Sequence, residues 1–166
     1  MSGMSDGIEI ELPDETATTD VARRLAPFLR SGDVLALTGD LGAGKTAFAR
    51  ALIRALTQSD EDVPSPTFTL LQTYESAVFP IRHFDLYRIS HPDELIELDW
   101  DDAVTNGLAI IEWPDRAGSL LPATRLDLRL SFGDAPGARK AAFLARQGWA
   151  DNRGGLGALQ RLLAGE

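Results

Sequence analysis

The chain has 166 residues, an apolar share of 44% and a formal net charge of −9, enough for one domain with a proper core and a poor basis for gripping a nucleic-acid backbone, which needs a basic surface. Cysteine is absent and histidine occurs twice, so disulfides, thiol catalysis and cysteine metal sites are excluded and a multi-histidine zinc site lacks ligands. No apolar run is long enough to span a bilayer and no basic segment leads into an apolar one, so the expectation is a soluble, cytoplasmic protein without membrane contact.

Residues 1–6 read as a frayed end. Ile8-Glu9-Ile10-Glu11-Leu12 alternates strictly, as a half-exposed strand does. Pro13-Asp14-Glu15 reads as a turn, and a helix is expected from near Thr16 to Thr18 with one Thr as N-cap. Val21, Leu25 and Phe28 share a face, and Pro27 should kink or stop the helix. Ser31-Gly32-Asp33 closes it. Val34-Leu35-Ala36-Leu37 is then a continuous apolar run, as expected of a parallel strand covered on both faces.

Gly39-Asp40-Leu41-Gly42-Ala43-Gly44-Lys45-Thr46 follows directly and fits G-x-x-x-x-G-K-T, the P-loop pattern. Its glycines free the backbone to turn successive N–H groups inward, where they cradle phosphate oxygens at a helix start. The cradle comprises Gly39, Leu41, Gly42, Ala43 and Gly44. Lys45 reaches the outer phosphates, and Thr46 offers its hydroxyl to Mg²⁺. The pattern counts only between a strand and a helix. Lys45 to about Thr57 supplies the helix, with Phe48, Leu52 and Leu56 on one face.

An acidic loop, Ser59-Asp60-Glu61-Asp62, precedes Val63-Pro64-Ser65-Pro66-Thr67, which two prolines hold extended. Phe68 to Tyr74 reads as a strand and Val78 to Asp85 as its hairpin partner. Ser90 is the expected N-cap of a helical stretch with Asp93 three residues on and Leu95, Ile96 and Leu98 facing inward. Asn106-Gly107 ends it. Leu108-Ala109-Ile110-Ile111 is a second buried strand, ending in Glu112-Trp113-Pro114. Pro114 to Pro122 reads as a loop. Leu126, Leu128, Leu130 and Phe132 alternate as an amphipathic strand, Lys140 to Arg146 pairs back on it, and residues 147–166 form a tail with a short helix. The whole is expected to be a single α/β domain, a P-loop NTPase-like three-layer sandwich with a mixed sheet, parallel at the P-loop and antiparallel at the margins.

Nucleotide hydrolysis needs carboxylates beside the P-loop, to orient Mg²⁺ and to position water. Two acids end strands there: Glu112 after the cleaner run, and Asp85 in His83-Phe84-Asp85-Leu86-Tyr87-Arg88. Thr67 is either a switch residue for the γ-phosphate or part of a rigid turn. His83 reads as a packed strand histidine before it reads as an acid or base. Trp113 is either core or a shield beside Glu112. Arg88 pairs with Asp93 or meets phosphate. Asp99, Asp101 and Asp102 read as a solvated helix end.

Taken together, the P-loop, Ser65-Pro66-Thr67-Phe68, His83-Phe84-Asp85-Leu86-Tyr87-Arg88 and Glu112-Trp113-Pro114 resemble, in order and spacing, the bacterial TsaE (YjeE) family over roughly residues 8–146. The resemblance implies a small Mg²⁺-dependent ATPase required for N6-threonylcarbamoyladenosine formation at adenosine 37 of tRNA. It implies action on a complex of TsaB and TsaD, with tRNA reached only through those partners. It implies that Thr46 and Glu112 are the magnesium-linked residues, that Asp85 is the Walker-B-type acid, and that Glu15 lies near the nucleotide base. The segment after residue 133 fits the family loosely. Two other readings stand beside this one: a small-molecule P-loop kinase, for which a lid is hard to place because residues 112–122 hold only Arg116, and a nucleotide-dependent binding module with negligible hydrolysis. No N-K-x-D-type motif is present to read guanine.

Overall fold

The computed structural model describes residues 7–60 and 62–165; expectations that fall on residues 1–6, Glu61 and Glu166 lie outside the described residues. Seven strands form one sheet: β1 (Gly7–Leu12), β2 (Val34–Thr38), β3 (Leu71–Glu75), β4 (Pro80–Asp85), β5 (Leu108–Glu112), β6 (Arg125–Phe132) and β7 (Arg139–Arg146), in the spatial order β1-β7-β6-β2-β5-β4-β3. The pairs β6–β2, β2–β5 and β5–β4 are parallel. The pairs β1–β7, β6–β7 and β3–β4 are antiparallel. The expected mixed sheet is therefore the one found.

Side-chain alternation builds the layers. Leu35, Leu37, Ile81, Leu108 and Ile110 face helices α1 (Glu15–Leu25), α2 (Lys45–Thr57) and α4 (Gly155–Ala164). Val34, Phe84, Ala109 and Ile111, one residue out of phase, face α3 (Trp100–Thr105) and the tight turns of 92–98 and 114–120. Strands buried on both faces read as unbroken apolar runs for this reason. The three layers cover the parallel centre. On β6 only Leu126, Leu128 and Leu130 enter the core, and Arg125, Asp127 and Arg129 line the opposite face with Arg146. Phe48 of α2 is fully buried and meets Phe143 of β7 edge-on at 6.3 Å, a burial that stabilises by roughly 1.5–3 kcal/mol.

Several boundaries differ from expectation, each for a local reason. The α1 N-cap is Asp14, not a threonine: its carboxylate accepts from the Ala17 N–H at 2.9 Å, so the helix begins at Glu15. Pro27 does end the regular helix, which tightens into a short turn over Ala26–Phe28. Phe68 to Leu70 is not strand. A turn closes from the Leu70 N–H to the Pro66 carbonyl, Leu70 takes a φ of 66°, and Phe68 is left exposed. The helical stretch after Ser90 is capped by His91 rather than Ser90. Glu94 closes the box by accepting from the Ser90 and His91 N–H groups. Leu95 is its buried residue, whereas Ile96 is exposed. Residues 114–120 form tight helical turns instead of a loop.

The tail is tied down at the start of β2. Arg153 donates through both terminal nitrogens to the Asp33 carboxylate and also to the Phe28 and Trp149 carbonyls. Its guanidinium lies 4.0 Å from the Trp149 ring centroid. Asp33 is 5% exposed and accepts in addition from the Arg30 N–H. In sequence it reads as a turn residue; in the fold it is a buried, paired charge.

Candidate functional site

The loop between β2 and α2 sits where β2 reaches its carboxyl end, the edge at which open α/β sheets bind ligands. Gly39 has φ +143°, and a Cβ there would run into the Leu130 carbonyl. Gly44, at φ +108°, is the residue from which α2 departs. Both positions demand glycine for conformational reasons. Arg139 of β7 holds the loop from outside, donating to the Gly42 carbonyl at 3.1 Å. Ala43 is buried under the loop, and Leu41 stands exposed at its tip.

Lys45, only 5% exposed, folds its ammonium onto the Gly39 carbonyl and the Asp40 carbonyl (3.1 Å), with the Trp113 ring centroid 4.2 Å away. Burial pushes its pKa below the ordinary lysine range, while the charges of Glu112, Asp85 and Asp40 pull it back up. Thr46, next along, donates its hydroxyl to Glu112 Oε1 at 2.9 Å.

Asp85 and Glu112 end adjacent parallel strands and stand opposite each other in the register. Both are buried. Asp85 accepts from the Thr67 hydroxyl at 3.0 Å and from the Tyr87 N–H at 3.0 Å. Glu112 Oε2 lies 2.6 Å from His83 Nε2. Thr67 therefore belongs to the acid cluster rather than being a bare turn residue, and its hydroxyl also meets that of Ser65 at 2.7 Å. Trp113 takes a left-handed φ of 57° directly after Glu112, which places its ring over Lys45 and 4.9 Å from Tyr87. Arg88 packs over Phe68 at 4.9 Å, and Arg116 over Tyr87 at 5.6 Å.

Glu15 stands apart from this cluster. It lines a cavity of about 450 Å³ on the other flank of the loop, with Asp14, Gly44, Leu130 and Arg139. A larger hollow of about 740 Å³ between α1 and α2 shares Glu15 and Ala47 with it, and none of Lys45, Asp85 or Glu112 lines either space. The expected residues thus fall into two groups separated by the loop: Lys45, Thr46, Thr67, Asp85, Glu112 and Trp113 on one side, Glu15 on the other. Two contributions were missed from sequence, the hold of Arg139 on the loop and the contact of His83, a packed strand histidine as expected, with Glu112. The Arg139 latch depends on a contact across 97 residues. His83 carried a usable signal, since it lies two residues before Asp85 and strand alternation puts both on one face.

Fold and loop together define a P-loop NTPase-like α/β protein, with a Gly-rich turn, a buried lysine and two carboxylates at neighbouring strand ends. The model of the family described as "Threonylcarbamoyl adenosine biosynthesis protein TsaE" matches residues 12–141. The chain belongs to the TsaE family. It is 40% identical over 123 residues to the tRNA threonylcarbamoyladenosine biosynthesis protein TsaE of Rickettsia felis, covering 74% of this chain and 72% of that one. It is 38% identical over 116 residues to the protein of the same name from Bacillus subtilis, covering 70% and 71%. The crystal structure of B. subtilis YdiB aligns over 99% of both chains with a TM-score of 0.78 at 27% identity. No helix among the described residues is long and apolar enough to cross a membrane.

Proposed function

We propose that this chain binds and hydrolyses ATP with Mg²⁺ at the β2–α2 loop, and that it does so as an accessory factor in N6-threonylcarbamoyladenosine formation at tRNA adenosine 37, acting on a TsaB–TsaD complex. The observation that carries the ATP reading is the Thr46–Glu112 contact at 2.9 Å, made across the sheet edge with Asp85 paired beside Glu112. Family membership carries the place in tRNA modification. The net charge of −9 suits a protein that reaches tRNA through partners.

The donor set fits magnesium, which takes oxygen ligands and is usually held by one or two protein groups with phosphate and water. Among the described residues no group of three or more His, Cys, Asp or Glu forms a protein cage. Thr46 and Glu112 would hold the ion, with Asp85 alongside. Bound magnesium supplies charge neutralisation at the phosphate oxygens.

The loop N–H groups and the start of α2 then grip the phosphates. Lys45 moves its ammonium from the loop carbonyls to the outer phosphates, and Trp113 screens it from water. Glu112 or Asp85 orients the attacking water, and Thr67 holds Asp85 in place. The cavity lined by Glu15, on the far flank, would take the base. A kinase reading finds no support: residues 114–120 are a short packed turn, and Arg116 is engaged with the Tyr87 ring and the Ile89 carbonyl.

The test is ATP hydrolysis by the purified chain, alone and with TsaB and TsaD, beside multiple-turnover tRNA modification. The expected result is slow hydrolysis alone and a requirement for it in repeated modification. Glu112→Gln should cut turnover about 100-fold or more with ATP affinity less affected. Equal turnover in Glu112→Gln and the parent would remove the role given to Glu112, and phosphate passing to a small acceptor would replace hydrolysis with kinase chemistry.

A further inference from the structure

We infer that His83 is the positioning residue for Glu112, an assignment that rests on the ATP-site reading above. His83 is fully buried on β4, and its Nε2 lies 2.6 Å from Glu112 Oε2. A bare ring lone pair at that distance would repel a carboxylate, so Nε2 carries the proton and donates. The other ring nitrogen, Nδ1, is buried and has no hydrogen-bond partner among the described residues. An unpaired buried nitrogen is a cost that leucine or phenylalanine at this core position would not incur. What histidine adds there is the single donor aimed at Glu112.

The geometry says what that donor does. His83 pairs with Ile110 in the register, and Glu112 is two residues beyond Ile110 on the same face. The contact is a diagonal one that only a long side chain spans. Glu112 is 2% exposed, so both carboxylate oxygens need donors from the protein. His83 takes Oε2. That fixes the carboxylate rotation and leaves Oε1 facing the Thr46 hydroxyl at the mouth of the loop. Without the imidazole, Oε2 is unpaired, and the carboxylate can turn Oε1 away from Thr46. The neighbouring acid is differently served: Asp85 is held by Thr67 and the Tyr87 backbone, so loss of His83 should act on Glu112 alone.

Two variants separate positioning from packing. His83→Phe keeps a flat ring and loses the donor; His83→Gln can return an N–H near the Nε2 position. Each is measured for thermal unfolding, for ATP affinity with and without Mg²⁺ by isothermal titration calorimetry, and for turnover. His83→Phe should bind ATP without Mg²⁺ as the parent does, yet lose at least tenfold in the Mg²⁺-dependent gain in affinity and in turnover. His83→Gln should recover to within about threefold of the parent. A His83→Phe protein with the parent's Mg²⁺ response, or equal losses in both variants that track lost stability, overturns the assignment. If the parent itself gains no ATP affinity from Mg²⁺, the functional reading fails first and this role falls with it. A second measurement needs no His83 variant. The chain has two histidines, and His91 is exposed, so the imidazole ¹⁵N spectrum is readable. It should give His83 as a slowly exchanging Nε2–H tautomer that Glu112→Gln perturbs. An exchange-averaged signal indifferent to Glu112→Gln contradicts the inference.

Discussion

The two ends of β2 both bury charge, and they do so in opposite ways. At the amino end, the Asp33 carboxylate meets a bidentate arginine and a backbone N–H, and Arg153 is spread over two carbonyls and an aromatic ring. Both charges there are fully paired, and the one buried polar atom in the cluster without a hydrogen-bond partner among the described residues is the neutral Trp149 Nε1. At the carboxyl end, two carboxylates share one edge, a lysine is turned back on loop carbonyls at the cost of a lowered pKa, and one histidine nitrogen has no partner among the described residues. A fully paired buried charge specifies structure. Like charges set side by side at an open sheet edge instead mark the candidate functional site.

Five changes would break or sharpen this contrast. The largest effect should come from Arg153→Leu, which strands Asp33 as a buried unpaired carboxylate. Stability should fall by about 3–5 kcal/mol, with ATP affinity unchanged in the folded fraction, as denaturant unfolding and ligand titration would reveal. Adding Asp33→Asn should recover part of the loss, since the stranded charge is then gone. At the other end, Lys45→Met should cost about 100-fold or more in ATP affinity, about 2.7 kcal/mol, and leave stability equal to the parent's or above it. The sign of its pH effect follows from the lowered pKa. Between the folded pKa and the ordinary lysine value the unfolded chain binds more protons, so stability rises with pH across that window. Unfolding titrations on Lys45→Met should lack that rise.

Smaller effects lie away from β2. Asp14→Ala removes the α1 cap beside the Glu15 cavity and should cost about 1 kcal/mol, a shift of a few degrees in the unfolding midpoint. Glu94, fully exposed, has its pKa lowered by the His91 and Ser90 N–H groups. Its contribution is present above the ordinary glutamate value and is lost as pH falls through the lower folded one. Glu94→Gln should flatten the acid limb of the stability profile slightly, most visibly as local unfolding of residues 92–98.

What was legible in the chain divides along the same line. The strand–loop–helix unit around Gly39 to Thr57, and the apolar run that ends in Glu112, announce themselves because their constraints are local: a Gly-rich turn, a period of 3.6 and a strand buried on both faces. Asp85 and Glu112 were legible as strand-end acids for the same reason. Asp33 was not, because its partner lies 120 residues away, and nothing near Ser31-Gly32-Asp33 distinguishes a paired carboxylate from a turn. Phe68 was misplaced in a strand because its aromatic, β-favouring neighbours outweighed the turn that Pro66 starts. The Thr67–Asp85 contact became visible only once the turn from Pro66 to Leu70 beside Asp85 was known, and the His83–Glu112 contact only with the β4–β5 register.

The most direct test of the contrast is one set of thermal unfolding curves for the parent, Lys45→Met and Arg153→Leu, each with and without saturating ATP and Mg²⁺. A ligand present at 100 times its dissociation constant stabilises the folded state by about 2.7 kcal/mol. The parent should show that gain. Arg153→Leu should start several degrees lower and rise by the same free energy, and Lys45→Met should start at or above the parent's midpoint and barely move. A Lys45→Met protein that ATP and Mg²⁺ stabilise as fully as they stabilise the parent would contradict the assignment of the carboxyl end of β2 as the nucleotide site.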